Sequence, residues 1–176
     1  SFSNICTMKI CLFFFCISFS LVTSSQVNPF VWKISTNQPA SGVLYESTIS
    51  HGYLEGRTIR VWVPEQYDKT KKAYDVIYFH DGQMLFDSSS TWNHQSWDLA
   101  NSATKYLSKK RCILVGIDND PNNRYAEFFP SPIYSSLPVS VQLTLRDSLW
   151  NGLPRFDSYA EALISEVFPL IETHWN

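Results

Sequence analysis

The sequence predicts an α/β fold, a mostly parallel sheet covered by helices and opened by an antiparallel pair of strands. Three observations predict it. Ile59, Val61 and Val63 alternate with Thr58, Arg60 and Trp62, the period of two of a half-covered strand. Val76-Ile77-Tyr78-Phe79 and Cys112-Ile113-Leu114-Val115-Gly116-Ile117 are short apolar runs of the kind that form strands buried on both faces. Stretches with helical spacing follow each run, and strands that alternate with helices build a sheet between helical layers.

Taken from the N-terminus, the first distinct segment is Met8-Lys9 followed by the apolar run Ile10 to Val22 and by Thr23-Ser24-Ser25. A basic start, an apolar centre and small residues in that order are those of a secretory signal peptide, with cleavage expected near Gln26. The run falls short of the roughly 20 apolar residues of a membrane span. Ser1 to Thr7 then stand upstream of the initiator, and the mature protein is expected to be secreted. Residues 26–41 lack periodicity and read as a lead-in. Val43 to Ser50 and Arg57 to Val63 form the antiparallel pair, turned around His51-Gly52 and Glu55-Gly56, and Pro64 ends the second strand. Val76 to Phe79 is a buried strand, Asp98 to Ser108 a helix with Leu99, Ala103, Tyr106 and Leu107 on one face, and Cys112 to Ile117 the next buried strand. Asn122 to Phe156, with Pro130, Pro132, Pro138 and Pro154, reads as a long functional loop. Ser158-x-x-Glu161 resembles a capping box, and Leu163, Val167, Leu170 and Ile171 continue as a helix that Pro169 should kink or shorten. A sheet that stops on such a helix leaves an edge strand uncovered, so the domain of residues 42–176 is expected to be partial and truncated at its C-terminus.

Composition narrows the function. The chain has 176 residues, 44% of them hydrophobic and 17% charged, the balance of a folded domain. Its formal net charge is −2 and its longest basic runs are Lys71-Lys72 and Lys109-Lys110-Arg111, which excludes the basic stripe of a nucleic-acid binder. Cys6, Cys11 and Cys16 precede the expected cleavage point, leaving Cys112 without an internal disulfide partner. No Cys/His spacing resembles a metal site.

The segment with chemical content is Tyr78-Phe79-His80-Asp81-Gly82-Gln83-Met84-Leu85-Phe86-Asp87. It sets a glycine and polar residues at the carboxyl end of a strand, where open α/β sheets bind ligands. Gly82 permits a tight turn, and the Gln83 amide after it is suited to hold a negative oxygen formed during acyl transfer. His80 reads as a structural hydrogen-bonding residue, and His51, His94 and His174 as solvated. Asp81 reads either as a loop-capping carboxylate or as a group that orients the turn and touches substrate. Arg124 and Glu127 line the cleft or form a surface ion pair. Trp92 and Trp97 line a pocket or pack the following helix. Asp118 and Asp120 read as turn residues and not as a cation site.

This stretch resembles the Putative esterase family of α/β-hydrolases, which includes enterochelin and feruloyl esterases. The resemblance runs from about Gly42 to Trp175 and also takes in Arg57 to Pro64 with Tyr67, Gly116-Ile117-Asp118, Asn123 to Pro130 and Glu166 to Ile171. It implies the N-terminal half of an α/β-hydrolase fold and a secreted carboxylic ester hydrolase working by serine acyl transfer without a cofactor. The substrate implied is a small-molecule or glycan-linked ester. It also implies that the Gln83 amide is one oxyanion-hole donor, and Asp81, Gly82, Arg124 and Glu127 stand beside it as the candidate substrate-side residues. The family's serine sits on a G-x-S-x-G elbow. Gly42, Gly52, Gly56, Gly82, Gly116 and Gly152 are all the glycines present, and no two have that spacing. The nucleophile, acid and base are therefore expected beyond this chain, which should be inactive alone. The alternative is a non-catalytic binding protein on a hydrolase scaffold, a pseudoenzyme.

Overall fold

The computed structural model describes residues 31–89, 91–107, 110–150 and 152–175. The expected signal peptide lies outside these residues. Five strands form one sheet in the order β1-β2-β3-β5-β4, with β1 at Lys33–Ile34, β2 at Val43–Thr48, β3 at Thr58–Val63, β4 at Asp75–His80 and β5 at Cys112–Ile117. The helices are α1 (Leu99–Leu107), α2 (Arg124–Phe128), α3 (Ser131–Ser136), α4 (Val139–Ser148), α5 (Phe156–Ala162) and α6 (Phe168–Trp175). A 3₁₀ turn at Gly82–Met84 follows β4, and a π turn at Leu163–Val167 joins α5 to α6.

The α/β class holds, and β2 and β3 form the expected antiparallel pair, with Val43 opposite Val63 and Thr48 opposite Thr58. A mostly parallel sheet is not what the described residues form. β1–β2, β2–β3 and β3–β5 are antiparallel, and β4–β5 alone is parallel. The parallel pair belongs to the unit β4-α1-β5, whose helix carries the chain back across the sheet. β1 is a second departure, for two residues of the lead-in add an antiparallel edge strand to β2.

The period of two sorts β5 between the two sheet faces. Ile113, Val115 and Ile117 join Ile59, Val61 and Val63 in the core beneath α5 and α6, where Tyr159, Val167, Ile171 and Trp175 complete the layer. Cys112 and Leu114 point the other way, with Leu44, Trp62 and Leu85, against Ala100 and Ala103 of α1. β5 is accordingly buried along its whole length. β4 is not. It ends the sheet, so Ile77 is 38% exposed and the strand is only half covered, although its apolar run reads like that of β5. Tyr106, assigned by spacing to the buried face of α1, is exposed, as that helix reaches the core through Ala100 and Ala103.

The stretch from Asn122 to Phe156 is three short helices and not a loop. Its prolines stand where helices begin: Pro130 and Pro138 immediately precede α3 and α4, and Pro132 lies in the first turn of α3. There the missing N–H has no intrahelical acceptor to lose. A small core of Ala126, Tyr134 and Trp150 holds this helical arm together. The capping box is likewise absent. α5 starts at Phe156, before Ser158, because Arg155 donates its amide to the Ala126 carbonyl at 2.8 Å and accepts from the Tyr159 amide at 3.0 Å. Pro169 interrupts the helix as expected. The π turn just before it shifts the hydrogen-bond ladder, and the Phe168 amide bonds to the Leu163 carbonyl.

Candidate active site

The site is built at the carboxyl end of β4. Asp81 takes a left-handed backbone conformation (φ 57°, ψ 44°), which turns the chain sharply into the 3₁₀ turn. The Met84 amide bonds to the Asp81 carbonyl at 2.8 Å and the Leu85 amide to the Gly82 carbonyl at 3.2 Å. The amides of Gly82 and Gln83 come before those bonds, so neither has an acceptor within the turn. The expectation that Gly82 itself supplies the tight turn is corrected here. Asp81 carries the positive φ, and Gly82 supplies closeness, as a Cβ at Gly82 would stand 2.7 Å from the Gly116 carbonyl carbon and 2.9 Å from the Asp118 nitrogen. Gly116 is the complementary gap in β5, where a Cβ would meet Leu85 Cδ1 at 2.6 Å and Gly82 Cα at 3.0 Å. Two glycines let the turn sit directly on the sheet.

Side chains then hold it. Arg124 donates from Nε and Nη2 to the two Asp81 oxygens at 2.8 and 2.7 Å, and Asn119 Nδ2 donates to Asp81 Oδ1 at 2.6 Å. A two-pronged, charge-assisted contact of this kind fixes orientation as well as distance. The Arg124 hydrogen bonds hold the Asp81 carboxyl below its ordinary range, so it stays an anion near neutral pH. The Asn119 amide reaches Gln83 Oε1 at 3.2 Å, tying the turn to the end of β5 a second time. Asp81 is thus buried and fully engaged, the loop-capping role.

An open cleft of about 650 Å³ lies over this turn, lined by Asp81, Gln83, Met84, Trp92, Trp97, Asp118, Asn119, Pro121, Arg124 and Tyr125. Trp92 and Trp97 face it with 86% and 54% of their surface exposed, so they are cleft residues and not packing for α1. Asp118 accepts from Arg60 Nε and Nη2 at 3.0 and 3.1 Å, while Arg60 also pairs with Glu46. Burial pushes the Asp118 carboxyl up against the pull of Arg60. Asp120 accepts from the Asn122 amide at 2.9 Å, as a turn residue should. Among the described residues no cluster of His, Cys, Asp and Glu could hold a metal ion.

Glu127 is not at the cleft. Its side chain is 1% exposed and pairs with Arg57, the residue before β3, and Tyr53 Oη donates to Glu127 Oε1 at 3.0 Å. Burial, reinforced by this carboxylate, raises the Tyr53 phenol to about 12. Glu127 thereby fastens the short helix α2 to the residue that leads into β3. His80 does make the structural contact its position implied, to Tyr159. His51 and His94 are exposed, whereas His174 packs between Trp32 and Trp175, with centroids 5.8 and 4.9 Å away. Sequence reading missed Arg57, Asn119 and Tyr159 as parts of this framework. Arg57 carried a legible signal, a cation at the entrance to an apolar strand. The other two carried none.

Neither a curated protein nor a solved structure matches the chain. Residues 50–176 match the Putative esterase family, and this span contains β3 to α6, the turn after β4 and every residue lining the cleft. The turn, the cleft and the matched span coincide, and the chain belongs to that esterase family.

Proposed function

We propose that this chain carries the oxyanion side of a secreted serine esterase site, acting on a small-molecule or glycan-linked carboxylic ester. One observation carries the reading: the Gln83 amide has no acceptor within its turn, and that turn is clamped by the Asp81–Arg124 contact and by the Gly82–Gly116 approach at the floor of a cleft. A fixed amide at a strand end suits the negative oxygen of a tetrahedral intermediate, because it needs no reorganisation when the charge develops. No G-x-S-x-G occurs here, so the attacking serine, the histidine that takes its proton and the acid that orients it are assigned to no residue of this chain. Asp81 and Arg124 act by holding the turn, and Trp92 and Trp97 offer apolar walls to the substrate. The Met8 to Ser25 segment supports export.

Reading the transcript past Asn176 tests this proposal. A G-x-S-x-G between an apolar strand and a helix, with an acid and a histidine downstream, is the expected result. An elbow without its serine would overturn the enzyme reading in favour of a binding protein.

A further inference from the structure

One polar contact at the end of β4 lies outside the Asp81 framework. His80 Nδ1 stands 2.7 Å from the Tyr159 hydroxyl. The imidazole also packs against the rings of Phe128 and Tyr159, with centroids 5.0 and 5.5 Å away. Tyr159 is 2% exposed, and His80 is the one hydrogen-bond partner of its hydroxyl among the described residues. Burial raises the phenol's pKa, so the hydroxyl keeps its proton and must place it on an acceptor.

Two arrangements satisfy the distance. In one, Tyr159 donates to an unprotonated Nδ1, and the ring proton sits on Nε2. In the other, Nδ1–H donates to the phenol oxygen, and the buried O–H then has nothing to accept it, at the full cost of desolvating a donor. The first arrangement leaves no buried group unpaired. We infer that Tyr159 fixes His80 as the neutral Nε2–H tautomer, which makes His80 a hydrogen-bond donor beside the Gln83 turn and removes it as a proton acceptor.

The ring's one basic lone pair is spent on Tyr159, so His80 cannot relieve a nucleophile of its proton while the contact lasts. His80 is exposed, and Nε2–H remains for an acceptor oxygen such as an ester carbonyl or a hydroxyl. Tyr159 is a positioning residue that acts through it. The surroundings agree with a neutral ring. Desolvation of the side packed on Phe128 and Tyr159 holds the imidazole below its ordinary value and outweighs the neighbouring Asp81, whose charge is taken by Arg124. From α2, the Arg124 guanidinium lies 5.1 Å from the Phe128 centroid. From the residue just before β3, Arg57 lies 5.6 Å from the Tyr159 centroid, paired with Glu127. Only the identity of the oxygen acceptor rests on the esterase reading; the tautomer is a property of this chain by itself.

Nitrogen NMR of the ¹⁵N-labelled chain near neutral pH tests the inference, with His80 assigned by its loss in His80→Gln. The expected spectrum shows Nε2 protonated and Nδ1 unprotonated for His80. In a folded Tyr159→Phe variant, His80 should move to the mixed tautomers of a free imidazole. A proton on Nδ1 in the wild type, or a tautomer mixture there like that of a free imidazole, would overturn the inference. So would an unchanged tautomer in folded Tyr159→Phe. The wild-type spectrum decides even if that variant does not fold. It also decides whether or not an ester is ever hydrolysed, so the two proposals fail separately.

Discussion

At Gly82 an added methyl would meet the backbone of β5, with the Gly116 carbonyl carbon at 2.7 Å and the Asp118 amide nitrogen at 2.9 Å. Neither can move without moving the strand. At Gly116 the nearest atom is instead the end of a flexible side chain, Leu85 Cδ1. Gly82→Ala should therefore cost about 1–3 kcal/mol, the usual range for overpacking, and Gly116→Ala less. Urea unfolding of both variants checks the order, and a larger loss at Gly116 would refute it. Glu127 sets a sharper test. Its carboxylate is buried with the Arg57 guanidinium, and removing one member of such a pair strands the other charge. Glu127→Gln should cost about 3–5 kcal/mol, whereas Glu127 as a cleft residue would cost little on replacement. Tyr53→Phe removes only one hydrogen bond to that carboxylate and should cost about 1.5–3 kcal/mol by the same measurement.

Between elements, the turn after β4 depends on α2 and α5, neither adjacent to it in sequence. Arg124 from α2 grips Asp81, and Tyr159 from α5 meets His80. Both contacts bind folding to pH with the same sign. Burial lowers His80 below its ordinary 6.5, so on acidification the unfolded chain takes up that proton first, and stability falls as pH drops through 6.5. His174, also lowered by burial, adds to the same fall. Asp81 is held below 3.8 by Arg124, so its contribution is complete above 3.8 and lost as pH falls through its lower folded value. The melting temperature should thus decline between pH 7 and 5. His80→Gln should reduce that slope without abolishing it, because His174 remains. A slope unchanged in His80→Gln would show that burial does not hold the imidazole neutral.

For the molecule as a whole, the described residues assemble a cleft with a fixed turn and an aromatic rim. Purified protein spanning Gln26 to Asn176 should hydrolyse p-nitrophenyl esters no faster than a denatured control. Turnover clearly above that control would mean that a group in this chain does the chemistry. Among the described residues no helix is long and apolar enough to cross a membrane. Export through the Met8 to Ser25 segment should yield a mature N-terminus near Gln26 when the chain is expressed in a secreting cell, which N-terminal sequencing reads directly.

Local pattern was enough for the strands β2, β3 and β5, for α1 and for the polar turn at His80 to Gln83, because each signal sits within a few neighbouring residues. Two-fold alternation marks a covered face, and a glycine after a strand marks a turn. What required the tertiary structure depends on partners far apart in the chain. The run Val76 to Phe79 and the run Cys112 to Ile117 look alike, yet the first ends the sheet and the second fills its centre. Prolines 130, 132 and 138 resemble loop markers until Trp150 and Tyr134 pack a core that makes them helix starts. Glu127, three residues from Arg124 on the same short helix, points to Arg57 at a separation of 70 residues, while Arg124 points to Asp81 at 43. Sequence alone determined which residues could form the polar turn after β4. Only the packing of α2 and α5 on the sheet decided which charges would grip that turn and which would be buried behind it, since an ion pair's worth is set by its surroundings and not by its letters.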